Sequence, residues 1–135
     1  RPLLFRIAGP SNSGKTTYLM ELIRRLKDHS LNVATIKHSH HKLDVVSRKD
    51  GHKLGTLAPN LTVGQDRMIL DEPVQTPPNL FELVERFYSE MDVVLVEGAG
   101  GGLQVSNVGG FHSHRRLFQS KNKGACVWVG VADRL

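Results

Sequence analysis

The order and pattern of apolar segments predict an α/β domain, with a mostly parallel β-sheet flanked by helices. Three observations carry this. Strand-like runs alternate with helical ones along the 135 residues. The runs at 3–8 and 92–96 are strongly apolar, as strands buried on both faces are. A glycine-bounded loop joins the first strand to the first helix, as in a strand–loop–helix unit.

Leu3 to Ala8 is a short apolar run with a glycine stop, a buried-strand pattern. Beyond the loop, Leu19, Leu22, Ile23 and Leu26 recur at helical spacing and form one stripe. This helix should fade at Asp28-His29-Ser30. Asn32 to Ile36 reads as a second strand and His38 to Asp44 as a polar loop. Lys49 to Leu57 has the length of a short helix, although Gly51 and Gly55 each weaken it by up to about 1 kcal/mol. Leu61 to Val63 and Arg67 to Leu70 read as short strands around a Gly64-Gln65-Asp66 turn. Pro77-Pro78-Asn79 stops one element and starts another. Asn79 is an N-cap with Glu82 three residues on, the pattern of a capping box. Leu80, Leu83, Val84 and Phe87 make the apolar face of that helix. Asp92 to Val96 is a continuous apolar strand ending in Glu97; a glycine-rich segment follows, and Gly124 to Val131 reads as the last buried strand.

The length suits a single domain, residues 1–135, with a real core. Charged residues are 23% and hydrophobic ones 39%, the balance of an ordinary soluble protein. No apolar run approaches the roughly 20 residues that span a bilayer. No signal peptide is expected, because Arg1 leads at once into a strand-like run; an opening Arg1 rather than Met fits a trimmed N-terminus or an excised domain. The net charge of +5 suits an anionic ligand such as a nucleotide, with no nucleic-acid or membrane partner expected. The single cysteine, Cys126, excludes an internal disulfide, agrees with a cytoplasmic location, and reads as a packed core thiol.

Gly9-Pro10-Ser11-Asn12-Ser13-Gly14-Lys15-Thr16 matches G-x-x-x-x-G-K-[ST] at every fixed position, with a strand before it and an amphipathic helix after it. This is the P-loop of the nucleoside triphosphate hydrolase fold. Its glycines let the backbone curl so that consecutive N–H groups point at phosphate oxygens, and the helix N-terminus adds partial positive charge. Gly9, Ser11, Asn12, Ser13, Gly14, Lys15, Thr16 and Thr17 are the candidate nucleotide-binding residues. Lys15 would neutralise the β and γ phosphates, and the Thr16 hydroxyl would ligate magnesium. A magnesium-organising acid is expected at the C-terminal end of a neighbouring parallel strand, where ligands bind, which selects Glu97. Asp92 lies at the opposite end and reads as a solvated strand-start residue.

After the P-loop, the second strand runs into Ile36-Lys37-His38-Ser39-His40-His41 and Asp44. With Lys49-Asp50, the strand near Thr62, Gln65-Asp66-Arg67 and Leu95-Val96-Glu97-Gly98, this resembles the molybdopterin-guanine dinucleotide biosynthesis protein B family over most of residues 3–98. The resemblance implies a GTP-binding P-loop protein, a homodimer, that assists attachment of a nucleotide to molybdopterin and handling of the cofactor. It implies phosphate and metal roles for Lys15, Thr16, Asp44 and Glu97. Three features depart from the family pattern or add to it. Gly51 and Ala58-Pro59-Asn60 replace the usual serine and Ala-Gly-Ala. Val96-Glu97-Gly98-Ala99-Gly100-Gly101 looks like dethiobiotin synthetase, a magnesium- and ATP-dependent ligase on a related fold. Asn122-Lys123-Gly124-Ala125 is similar to a guanine-reading motif, but lacks its Asp and precedes a strand, so it carries no information on the base.

His38, His40 and His41, with His112 and His114, offer nitrogen ligands for a transition metal; without further cysteines a closed site needs four ligands from distant loops. Polar loop histidines beside an anionic ligand are the other account. His112-Ser113-His114 has the spacing that puts two imidazoles on one face of a strand. Arg115-Arg116 with Lys121 and Lys123 reads as a solvated loop, or as a clamp for a second anion.

The expectation is therefore a GTP-binding accessory protein of molybdenum-cofactor biosynthesis, with Mg2+ as cofactor. Lys15 and Asp44 are its catalytic candidates, and Thr16, Glu97 and possible further ligand Asp44 its metal set. Lys37, His38, His40, His41, Gly98, Gly100 and Gly101 are substrate-side candidates. Hydrolysis should be slow, because no arginine finger or positioned glutamine is assignable. Molybdopterin or the nucleotide-attaching enzyme is the expected partner. The alternatives are an ATP-dependent ligase of the dethiobiotin synthetase type, and a metallochaperone-type GTPase that uses the histidines.

Overall fold

The computed structural model describes residues 2–8, 12–39, 43, 49–76 and 78–98, and the backbone course of 112–119 and 126–132. Two compact units emerge, residues 1–40 with 78–135, and residues 41–77.

In the first unit, β1 (Leu3–Ala8), β2 (Val33–Lys37), β5 (Val93–Glu97), β6 (His112–Gln119) and β7 (Cys126–Ala132) form one sheet in the order β2-β5-β1-β7-β6. Strands β2, β5 and β1 are parallel neighbours, while β7 runs antiparallel to β1 and β6 antiparallel to β7. The parallel part is the α/β arrangement that the sequence predicts, and its strand ends meet on one side. The last strand appears at Cys126–Ala132. Arg115 and Arg116 lie within β6 rather than in a loop. Arg116 pairs with Trp128 of the next strand, and Arg115 falls in a register irregularity between Ser113 and Arg116, a pairing that two adjacent cations do not signal.

Each face of the parallel strands is covered by one helix. Helix α1 (Lys15–Asp28) sets Leu19 into a core with Ile7, Val93 and Leu95, and Leu22, Ile23 and Leu26 pack against it as the stripe requires. Helix α3 (Leu80–Tyr88) buries Leu80, Phe81 and Val84 with Leu4, Ala34, Val94 and Val96. Thus β5 sends alternate side chains to opposite helices, and its apolar positions from Val93 to Val96 are all buried. Burying one such side chain contributes about 1.5–3 kcal/mol. This is why the run has no polar interruption.

Helix ends follow local chemistry. Asn79 Oδ1 accepts from Phe81 N–H at 2.9 Å and caps α3, as its type predicts, although the bond goes to the second helical residue rather than the third. The α3 face is rotated from the expected one. Phe81 is buried, whereas Phe87 is 43% exposed with the Arg86 guanidinium 4.8 Å over its ring. Tyr88, one turn beyond Val84, meets the core in place of Phe87. Helix α1 ends where the sequence places it. Ser30 adopts φ +61°, and Leu31 N–H reaches back to Leu26 C=O at 3.2 Å, the bond pattern of a Schellman motif.

The second unit holds α2 (Lys49–Gly55) and a hairpin of β3 (Asn60–Val63) and β4 (Met68–Asp71). Both expected strands and the turn between them are present. The helix stops at Gly55, which is buried with its α-carbon against Asp71; a Cβ there would stand 2.6 Å from Asp71 Cγ. Close approach to the hairpin is what offsets the poor helix propensity of glycine at this place. His52 Nδ1 lies 2.8 Å from Asp71 Oδ2 and ties helix to strand.

Candidate functional site

Because β1, β5 and β2 are parallel and in register, Ile7, Glu97 and Lys37 form one row across the sheet at the strand ends. Side chains in a row share a face, and this face is the one α1 covers. Helix α1 begins beyond β1 after a short connection. Within it, Asn12 and Gly14 take φ +58° and +88°, the left-handed conformations of a tight curl. Gly14 is the N-cap and has no side chain to spend on the helix, so the first turn begins with the Gly14 C=O accepting from Tyr18 N–H at 3.0 Å. The N–H groups of that turn have no intrahelical acceptor. The turn carries no acidic residue that would compete for an anion. Ser13 is buried, and its hydroxyl has no partner among the described residues. A curled backbone, an uncompensated helix N-terminus and an orphaned buried hydroxyl fit a phosphate group.

The helix start brings Thr16 over the end of β5. Its Oγ1 lies 3.1 Å from Glu97 Oε1 and 3.2 Å from Oε2. Lys37 Nζ stands 3.8 Å from Glu97 Oε1 on the other side; the Glu97 side chain is 12% exposed and that of Lys37 is 65% exposed. The hydroxyl and the carboxylate are hard oxygen donors. Neighbouring ligands of an octahedral magnesium, at 2.0–2.1 Å from the metal, are about 3 Å apart. The observed spacing matches that edge, so this donor pair fits magnesium.

Around the acid, the backbone is braced. Gly98 has φ +87°, and a Cβ on it would lie 2.9 Å from His38 C=O. Only glycine lets the chain leave β5 so close to β2. Gly98 N–H donates to Ile7 C=O at 3.1 Å and His38 N–H to Glu97 C=O at 3.0 Å. Arg6 Nε donates to Gly98 C=O at 3.0 Å. Sequence reasoning passes over Arg6; the available signal is a cation inside an apolar strand, which needs a partner when partly buried. Asp92 stands at the far end, where its Oδ2 accepts from Asn32 N–H at 2.7 Å. It aligns the start of β2 on β5, a more definite role than solvation.

The structure thus brings Ser13, Gly14, Lys15, Thr16 and Thr17 to the sheet edge that carries Lys37, His38, Glu97 and Gly98. Gly9, Ser11, His40, His41, Asp44, Gly100 and Gly101 lie outside the described residues. Among the described residues no cluster of three histidine, cysteine or acidic side chains suited to a metal is present. No helix of the described residues is long and apolar enough to cross a membrane.

The sequence matches the family model described as molybdopterin guanine dinucleotide synthesis protein B over residues 4–101. The glycine-rich stretch from Gly98 to Gly101 falls inside that match. The molybdopterin-guanine dinucleotide biosynthesis adapter protein of Haemophilus influenzae is 34% identical over 99 residues, which cover 70% of this chain and 56% of that protein. The urease accessory protein UreG of Streptococcus thermophilus is 31% identical over 118 residues, 78% of this chain and 53% of UreG. The chain therefore spans little more than half the length of these relatives. The crystal structure of Bacillus subtilis MobB is similar in fold, with a TM-score of 0.56 at 24% identity, over 71% of this chain and 60% of that one. A match across most of the parallel sheet and both flanking helices settles the family: the chain belongs to the molybdopterin guanine dinucleotide synthesis protein B family.

Proposed function

We propose that this protein is a GTP-binding accessory protein of molybdopterin-guanine dinucleotide biosynthesis, with slow magnesium-dependent GTP hydrolysis. The observation that carries the reading is the contact of Thr16 with both oxygens of Glu97, at 3.1 and 3.2 Å, at the N-terminus of the helix that follows the P-loop motif. The adapter protein of Haemophilus influenzae supplies the pathway.

In this reading the N–H groups of Gly14 to Thr17 hold phosphate oxygens, and Lys15 neutralises the β and γ phosphates. Thr16 and Glu97 would hold magnesium, directly or through water, and the ion would offset charge that develops on the phosphates. Asp44 joins that shell or positions the attacking water. Lys37, His38, His40 and His41, with Gly98, Gly100 and Gly101, are assigned to the substrate side of the site. The partner on that side is molybdopterin or the enzyme that attaches the nucleotide. The protein works as a cytoplasmic homodimer.

Calorimetric titration of the Lys15→Ala variant with GTP should show binding lost while the circular dichroism spectrum is retained. GTP should bind at least about tenfold tighter than ATP, roughly 1.4 kcal/mol. Competition between labelled GTP and unlabelled ATP measures this. A preference for ATP, with carbon-dioxide-dependent ADP release on a diamino acid, would replace this reading with the ligase.

A further inference from the structure

Glu97 meets groups of two different kinds among the described residues. Thr16 meets its carboxylate as a hydroxyl, and Lys37 meets it as a cation, with Nζ 3.8 Å from Oε1. The register of β2 on β5 places Lys37 directly across from Glu97. On the other flank the register partner is Ile7, fully buried and uncharged. Among the described residues, Lys37 is the cation that the sheet itself presents to this acid. The pair is asymmetric in freedom. The Glu97 side chain is 12% exposed and fixed from two sides, whereas Lys37 is 65% exposed on a four-carbon stem that can turn away. A carboxylate so enclosed needs a counter-charge when no metal is present. A lysine so exposed can leave at little cost.

We propose that Lys37 is the resident counter-ion of the magnesium site. Its ammonium neutralises Glu97 until a triphosphate arrives, then moves from the carboxylate to the terminal phosphate as magnesium takes the carboxylate. Metal and triphosphate are thereby coupled: the cation site is closed by the protein's own charge and opens when phosphate draws that charge away. Lys37 is a positioning residue here, and the proposal rests on the reading of Glu97 as the magnesium acid.

The test uses Mn2+ as a spectroscopic stand-in, titrated by electron paramagnetic resonance into purified nucleotide-free protein. Lys37→Met keeps the stem and removes the charge. It should bind Mn2+ about three- to fivefold tighter than wild type, the range of a partly exposed ion pair. The same variant should bind a non-hydrolysable GTP analogue more weakly in EDTA, as expected if the ammonium reaches the phosphate. Lys37→Arg retains the charge and should stay near wild type in both measurements, which separates counter-charge from mere strand packing. Mn2+ affinity that is unchanged or lower in Lys37→Met overturns the proposal, as does a Lys37→Arg variant that behaves like Lys37→Met. Glu97→Gln distinguishes the two levels. If it loses Mn2+ binding while Lys37→Met matches wild type, only the counter-ion role fails. If Glu97→Gln binds Mn2+ as wild type does, the magnesium reading fails and the counter-ion with it.

Discussion

In β5, Val93 to Val96 are 3% exposed or less, whereas in the β3–β4 hairpin Leu61 is 55% exposed and Val63 and Met68 are each 66% exposed. Leu61 pairs with Leu70 and Val63 with Met68, so these four apolar residues share one hairpin face. The other face carries Asn60, Thr62, the half-buried Ile69 and Asp71, and α2 approaches on that side through Gly51 and Gly55. The polar contacts there are His52 to Asp71 at 2.8 Å, from helix to strand, and Asn60 to Thr62 at 3.0 Å, within β3. The parallel strands are thus held by apolar burial from two sides, and the hairpin unit by backbone pairing and a few exposed polar contacts. The candidate magnesium acid sits at the end of the strand that is held best. A donor pair must keep its spacing to within a few tenths of an ångström, and only a close-packed strand fixes it so firmly.

The largest effect should separate the two regions outright. Leu80→Ala empties a fully buried position and should cost about 2–5 kcal/mol, while Leu61→Ala should stay within about 0.5 kcal/mol. Urea denaturation of both variants measures this, and equal losses would remove the contrast.

A pair of glycine substitutions sharpens it. Gly98→Ala forces a left-handed residue against the His38 backbone oxygen, which cannot turn aside, and should cost about 1–3 kcal/mol. It should also weaken the extra nucleotide affinity that magnesium confers, since Gly98 follows Glu97. Gly55→Ala sets its Cβ 2.6 Å from Asp71 Cγ and 2.9 Å from Asp71 Cβ, so β4 must shift and the His52–Asp71 contact loosen; it should cost about 1–2 kcal/mol and leave the magnesium effect unchanged. Thermal melts of the two variants, with nucleotide titrations with and without magnesium, provide the comparison. Were Gly55→Ala the more harmful, the hairpin unit would be the more tightly specified region.

A smaller effect in the opposite direction is expected at the end of α1. Ser30 holds φ +61° in the Schellman turn, so Ser30→Gly should stabilise by about 0.5–1 kcal/mol, read as a shift of the denaturation midpoint. The smallest effect lies on the solvent side of the same helix. A hydrogen bond from Arg25, then the charges of Arg25 and Arg24, hold the Glu21 carboxyl below its ordinary value. Its contribution is complete above the unfolded-state value and is lost as pH falls through the lower folded one. Glu21→Gln should slightly flatten the acid limb of the stability profile, visible in melting curves from neutral to acidic pH. An unchanged acid limb would mean that this exposed ion pair is fully screened.

Local patterns specify most of the elements and the phosphate motif. The α1 stripe of Leu19, Leu22, Ile23 and Leu26, the Asn79 cap and the unbroken run Val93 to Val96 are local patterns that local physics enforces. Strand direction also placed Glu97 at the end where Thr16 stands and Asp92 at the opposite one, because parallel strands end on the same side. The remaining relations arise from packing between segments. Sequence does not say that Lys37, Glu97 and Ile7 share a row, that Arg6 reaches Gly98, that Phe81 is buried where Phe87 is not, or that Arg115 and Arg116 lie in a strand. Periodicity fixes which residues share a face of one element. Which neighbour that face meets depends on register between segments tens of residues apart, and register is settled by packing the whole sheet at once.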